Sequence, residues 1–201
     1  MRRLAIETAG SVCSVALFDG EAVVGHAHER VARGHAERLL PLVASLQPQP
    51  VDEILVDCGP GSFTGLRVGL AAAIALGIGW QVPVRGFGAL ALLVAGSEVR
   101  ADALAVAVGG GHGQLFVQRF APLPLVPSGP PRSLLPEMAR DVIGDLPLVG
   151  DAVAARMLDR PDLRVVEPDA ALVLRLPAEL RTLPAHPIYL READAKPMAT
   201  A

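Results

Sequence analysis

The sequence predicts an α/β protein with one complete sheet-and-helix lobe and a reduced second one, and three observations carry that expectation. Strand-like runs dominate the N-terminal third and then give way to alternating helical and strand patterns. A glycine string, Gly109 to Gly113, restarts a hairpin pattern in the second half. The chain has 201 residues, 51% of them apolar and only 3% aromatic, so Ala, Val and Leu must fill a core of ordinary globular size.

Leu4–Glu7, Val12–Phe18 and Ala22–His28 read as successive strands, with Asp19-Gly20 as a hairpin turn between the last two. His35 to Gln47 carries Leu39, Leu42, Val43 and Leu46 at helical spacing opposite Glu37, Arg38 and Ser45, with Pro41 expected near the first turn or at a kink. Ile54–Asp57 is a short strand. Gly59-Pro60-Gly61 turns the chain, Pro60-Gly61 suiting a type II turn and Ser62 or Thr64 the cap of a helix from Thr64 to Trp80. Val82–Phe87 supplies the next strand. Meander, helix, strand, helix, strand is the order of one ribonuclease-H-like lobe of the actin-like (ASKHA) superfamily.

A helix at Leu90–Val94 precedes a boundary near Gly96–Asp102, which divides the chain into residues 1–98 and 99–201. Beyond it, Ala103–Val108 and Gln114–Phe120 form the restarted hairpin. The proline-rich stretch 122–136 reads as loop, and helices are expected at 137–143, 152–158 and, weakly, 170–175. The second lobe looks too short to repeat the first.

Several chemistries are excluded. The net charge is −3, Lys196 is the sole lysine and the arginines are dispersed, so RNA is expected to be met only indirectly. No signal-like apolar region follows Met1-Arg2-Arg3, and the run from Val68 to Val82 is short and glycine-rich for a membrane span, so a cytoplasmic protein is expected. Cys13 and Cys58 lie in strand-like runs and read as buried reduced thiols. His35-Ala36-Glu37 has no second histidine four residues on, and Ser62 lacks the flanking glycines of a hydrolase elbow. His26 and His28 share one strand face but read as polar surface, and no metal or cofactor is expected.

Two segments are candidates for contacting phosphate. One is the turn after the first strand, with Thr8 and Gly10; the other is the helix start, with Gly59, Gly61 and Ser62. A ligand-free hairpin and an ordinary strand-to-helix connection stand as the plain readings of the same residues. Glu7 and Asp57 are the only carboxylates placed to hold a metal in a phosphotransferase.

The helix from Thr64 to Trp80 is apolar all round, with no charge between Arg67 and Arg85. Its own sheet covers one side. Either the rest of the chain covers the remainder or another protein does. The expected contact set is Leu39, Leu42, Val43 and Leu46 on the first helix with Gly69, Leu70, Ala73, Ile74 and Gly77 on the second, and self-association is expected without the partner.

The segment Leu4 to Leu17, the string His35-Ala36-Glu37-Arg38-Leu39-Leu40-Pro41, the run Gly59-Pro60-Gly61-Ser62-Phe63-Thr64-Gly65-Leu66-Arg67-Val68-Gly69 and the terminal Tyr189-Leu190-Arg191 together resemble the bacterial TsaB (YeaZ) family. That resemblance implies a non-catalytic scaffold that pairs with the catalytic paralog TsaD and the ATPase TsaE to place threonylcarbamoyl on adenosine in tRNA. Two positions depart from the family pattern: Glu7 stands where aspartate is usual, and Gly109-Gly110-Gly111 where relatives carry Asp-Ala-Arg. Both weigh against nucleotide chemistry. An ATP-dependent phosphotransferase of the same fold is the alternative.

Overall fold

Alternation in the first strands decides the architecture. In a computed structural model, which describes residues 1–31 and 34–191, β1 (Arg2–Glu7), β2 (Val12–Asp19) and β3 (Ala22–Arg30) form an antiparallel meander. Strands β4 (Glu53–Asp57) and β5 (Val84–Phe87) extend it in parallel, in the order β3-β2-β1-β4-β5. Leu4, Ile6, Cys13, Val15, Ile54 and Val56 project onto α1 (His35–Ser45) and α2 (Phe63–Trp80), while Ala5, Ala16, Phe18, Leu55 and Phe87 project the opposite way. Both faces are covered, which is why these strands read as almost continuous apolar runs. Pro41 lies inside α1.

The second sheet is more complete than expected. Strands β6 (Leu104–Gly111), β7 (Gln114–Pro122) and β8 (Leu125–Pro127) are antiparallel, and β10 (Leu148–Gly150) and β11 (Arg164–Val165) add in parallel on the other side, giving β11-β10-β6-β7-β8. This repeats the order of the first sheet. The second lobe is therefore shortened rather than truncated: its outer strands have two or three residues, too few for alternation to show. The proline-rich stretch expected as loop supplies β8 and β9 (Arg132–Leu134), both pairing with β7. Pro127 ends β8 on the sheet edge, where a missing N–H costs no ladder bond. Helices α4 (Pro136–Ile143) and α5 (Ala152–Leu158) cover the outer face through Ala139, Ile143, Ala154 and Leu158.

Between the sheets lies α3 (Ala89–Ser97), whose Leu90, Leu92, Leu93 and Val94 meet Phe18 and Phe87 from one sheet and Val106, Phe120 and Val149 from the other. The segment expected as a weak helix is a 3-10 helix, Ala170–Arg175, in the same core. The chain then returns to the first sheet: Leu183 exchanges hydrogen bonds with Gly86, and the Ile188 N–H donates to the Cys58 carbonyl at 2.7 Å.

Candidate functional site

Three glycines spaced four apart decide how α2 meets the β1–β2 turn. A Cβ on Gly61 would lie 2.4 Å from the Ala9 carbonyl oxygen, one on Gly65 2.0 Å from that of Thr8, and one on Gly69 2.3 Å from Thr8 Oγ1. No side chain fits along this line, so the helix docks backbone against backbone. The Ser62 N–H donates to the Ala9 carbonyl at 2.6 Å, Thr8 Oγ1 donates to the Gly65 carbonyl at 2.9 Å, and Ser62 Oγ caps the helix by accepting from the Gly65 N–H at 3.2 Å. The Pro60-Gly61 type II turn does not form: Gly59, not Gly61, takes the left-handed φ of 92°, beside a cis Gly59–Pro60 bond.

These bonds correct the phosphate reading for two of its five residues. The Thr8 hydroxyl is spent on the Gly65 carbonyl and the Gly59 N–H donates to Asp57 Oδ1 at 2.6 Å, while Ser62 gives its N–H to the Ala9 carbonyl and uses its Oγ as the cap acceptor. Gly10 and Gly61 do line a cleft of about 450 Å³ between the lobes, shared with Glu7, Leu93, Gly109 and Asp151. Its lining carries one cation among the described residues, Arg30, and that side chain is paired with Glu167 at 2.5 Å. Asp151 is occupied too, accepting from the N–H groups of Gly109 at 3.0 Å and Ala154 at 2.7 Å. A Cβ on Gly109 would lie 2.8 Å from the Val153 side chain, so a larger residue there requires α5 or Val153 to shift.

Glu7 and Asp57, at the ends of adjacent strands β1 and β4, come together as a fully buried pair. Glu7 Oε1 accepts from the Ala9 N–H at 2.9 Å. Were both ionised, Glu7 Oε2 and Asp57 Oδ2 would have no donor at all. Burial, then the charge of Asp57, pushes Glu7 well above the ordinary carboxylate range, and burial raises Asp57 as well. The pair therefore holds a proton between its two carboxyl groups. Glu7 borders the cleft, yet neither carboxyl has exposed surface, so a magnesium ion, which keeps several waters in octahedral array, meets no open carboxylate oxygen here.

Because folding raises the Glu7 pKa, it takes up a proton. The folded state is favoured below the ordinary value near 4.5, and this advantage is lost as pH rises toward the raised value. Glu7→Gln keeps the acceptor for Ala9 and offers Asp57 a permanent donor. It is expected to raise stability at neutral pH by on the order of 1 kcal/mol or more and to flatten stability against pH above the ordinary carboxylate range, as read by urea melts at several pH values.

The expected partner surface needs larger correction. Leu39, Leu42, Val43, Leu70 and Ala73 are core residues of the first lobe, Leu46 is half-buried against them, and Gly69 and Gly77 face Thr8 and Val84. The small row of α2 thus lies on the chain's own sheet. What stays open is the next face: Ile74 is 43% exposed and Ile78 74%, with Ala71 and Ala75 beside them. At its N-terminal end Arg67 stacks 3.6 Å from the Phe63 ring centre and its Nε donates to Tyr189 Oη at 3.2 Å. Sequence strings 122 residues apart thus meet on one exposed face. Contrary to expectation, α2 has the length and apolar composition to cross a membrane, although its buried row is committed to the sheet.

Burial pushes the Cys13 thiol up to about 11 and that of Cys58 up to about 12, so neither is a thiolate at neutral pH.

Comparison with known proteins adds a family. Residues 23–123 match the family model described as TsaD, tRNA N6-adenosine threonylcarbamoyltransferase. An uncharacterised protein of Mycobacterium tuberculosis is 33% identical over 175 residues, covering 84% of this chain and 80% of that one. The tRNA threonylcarbamoyladenosine biosynthesis protein TsaB of Escherichia coli is 36% identical over 103 residues, or 48% of this chain and 44% of that protein. Among solved structures, YeaZ from Pseudomonas aeruginosa superposes with a TM-score of 0.80 at 26% identity, covering 94% of this chain and 99% of that one.

Proposed function

This chain belongs to the TsaB (YeaZ) family, and from that premise we propose that it is a non-catalytic scaffold in tRNA threonylcarbamoyladenosine biosynthesis, pairing with the catalytic paralog TsaD and working with the ATPase TsaE. The observation that carries this reading is the uncovered apolar face of α2, running from Phe63 past Ile74 to Ile78. A row of this kind on a helix whose opposite side is already packed is suited to receive another protein's helix. In this reading residues 1–98 present the surface and residues 99–201 support it. The face closes on a second copy when TsaD is absent, and tRNA is reached through the partner in the cytoplasm. The buried Glu7–Asp57 pair, and a cleft whose one cation among the described residues is already paired, support a chain that does no phosphoryl chemistry.

The test is co-purification with the paralog from the native cell. Ile78→Arg should fold with an unchanged melting temperature, because the side chain is exposed. It should weaken association about 30-fold or more by placing an unpaired charge in a desolvated contact. Undiminished co-elution of Ile78→Arg would remove this face from the interface. Steady ATP turnover by the purified chain, lost in Glu7→Ala, would instead favour the phosphotransferase.

A further inference from the structure

His26 and His28 stand two apart on β3 and therefore share a face, with ring centres 6.0 Å apart. The sequence presents them as a bare pair. The fold brings to that face the segment leading into the 3-10 helix, which carries two carboxylates, also two apart. His26 Nε2 lies 2.8 Å from Asp169 Oδ1, His28 Nδ1 3.9 Å from Asp169 Oδ2, and His28 Nε2 3.8 Å from Glu167 Oε2. One donor atom each from His26, His28 and Asp169 falls within 4.8 Å of the others.

We propose that His26, His28 and Asp169 form a zinc-class divalent metal site, its fourth position open to water, that clamps the segment carrying Asp169 onto β3. Two imidazoles with a carboxylate suit zinc or cobalt, whereas magnesium and calcium take all-oxygen shells. Bonds of about 2.0–2.2 Å require ligand atoms roughly 3.3–3.5 Å apart, so the more distant donors must draw in by less than about 1.5 Å, and a metal replaces the direct His26–Asp169 contact at 2.8 Å. These side chains are between 24% and 36% exposed and have the freedom to do so.

Two further observations point to a ligand. His28 Nδ1 is shielded from water yet makes no hydrogen bond among the described residues, a state that a metal bond relieves. Asp169 is already oriented: its Oδ1 accepts from Ser14 Oγ at 3.1 Å and from the Ala171 N–H at 2.9 Å, the outer support that ligating carboxylates usually have. Glu167 stands outside this set, its Oε1 held by Arg30 at 2.5 Å. Glu167 and Pro168 also wall the cleft between the lobes, so the metal would fix one side of it.

The test uses the full, tag-free chain stripped with a chelator. One equivalent of zinc is expected to bind, and the melting temperature to rise by about 5–10 °C at a zinc concentration about 100-fold above Kd, with no effect of magnesium. Cobalt should give the visible absorption of a four-coordinate site. Asp169→Asn, which preserves the cap of the 3-10 helix, and His28→Ala should each weaken zinc binding at least 10-fold. If His28→Ala does not fold, Asp169→Asn and the cobalt spectrum decide. Absence of zinc binding by the unaltered chain, or binding undiminished in Asp169→Asn, would overturn the proposal.

Discussion

Gly65→Ala is expected to destabilise the protein by about 3 kcal/mol or more, despite gaining about 1 kcal/mol of helix propensity over glycine. The added methyl would sit 2.0 Å from the Thr8 carbonyl oxygen, and both parties are anchored backbone. Thr8 is held at the end of β1, and Gly65 in the first turn of α2 by the Ser62 cap and the Thr8 Oγ1 bond. Relief requires moving the helix as a body, which opens the Leu66, Leu70 and Ala73 contacts behind it. For a chain of this length the loss corresponds to a fall of about 6–12 °C in melting temperature. Gly79→Ala is the matched control, because a Cβ there meets nothing within 4 Å and should be neutral or stabilising. A Gly65→Ala protein that melts with the parent would show that α2 is not fixed by this contact.

The glycine spacing was visible in the sequence, but its meaning was not. Gly61, Gly65 and Gly69 can be read as a turn, a cap and a phosphate loop because their real neighbours, Thr8 and Ala9, lie some 57 residues away. The first-lobe strands were legible because they are near-continuous apolar runs bounded by turns, with Leu4, Ile6 and Val15 facing one core and Ala5 and Ala16 the other. Strands β10 and β11 were not, being too short to carry a period. Half of the candidate metal cluster was legible as His26 and His28, and the other half lies 143 residues on at Asp169. Likewise Glu7 and Asp57 could be named, but not their meeting, which depends on β4 pairing parallel to β1.

For α2 the sequence established that the helix is apolar all round but left its rotation open. Each pair of residues four apart drifts by about 40° around the axis, so Leu70 is buried while Ile74 and Ile78 emerge progressively. The face that packs is the one carrying the smallest residues, since Gly69 lets the helix sink onto Thr8, and Ala73 and Gly77 let it sink onto β4 and β5. Only a three-dimensional sheet selects between these faces.

That choice of face gives Ala73→Arg an outcome opposite to the one expected of an interface residue. Ala73 has no exposed surface and lies among Ile54, Val56 and Leu70. A guanidinium there enters a wholly apolar cluster and cannot reach water without displacing the helix, so the cost is that of a buried charge plus overpacking. On the order of 5 kcal/mol is expected, comparable to the whole stability of an ordinary domain. The variant should express as insoluble protein or melt below growth temperature, whereas Ile78→Arg, about one turn further on at an exposed position, should fold normally. Soluble yield and circular dichroism melts of the two proteins side by side read the rotation of α2 directly. If Ala73→Arg folds with the parent's melting temperature, α2 presents the opposite face to the sheet, and the interface must be sought along its small-residue row.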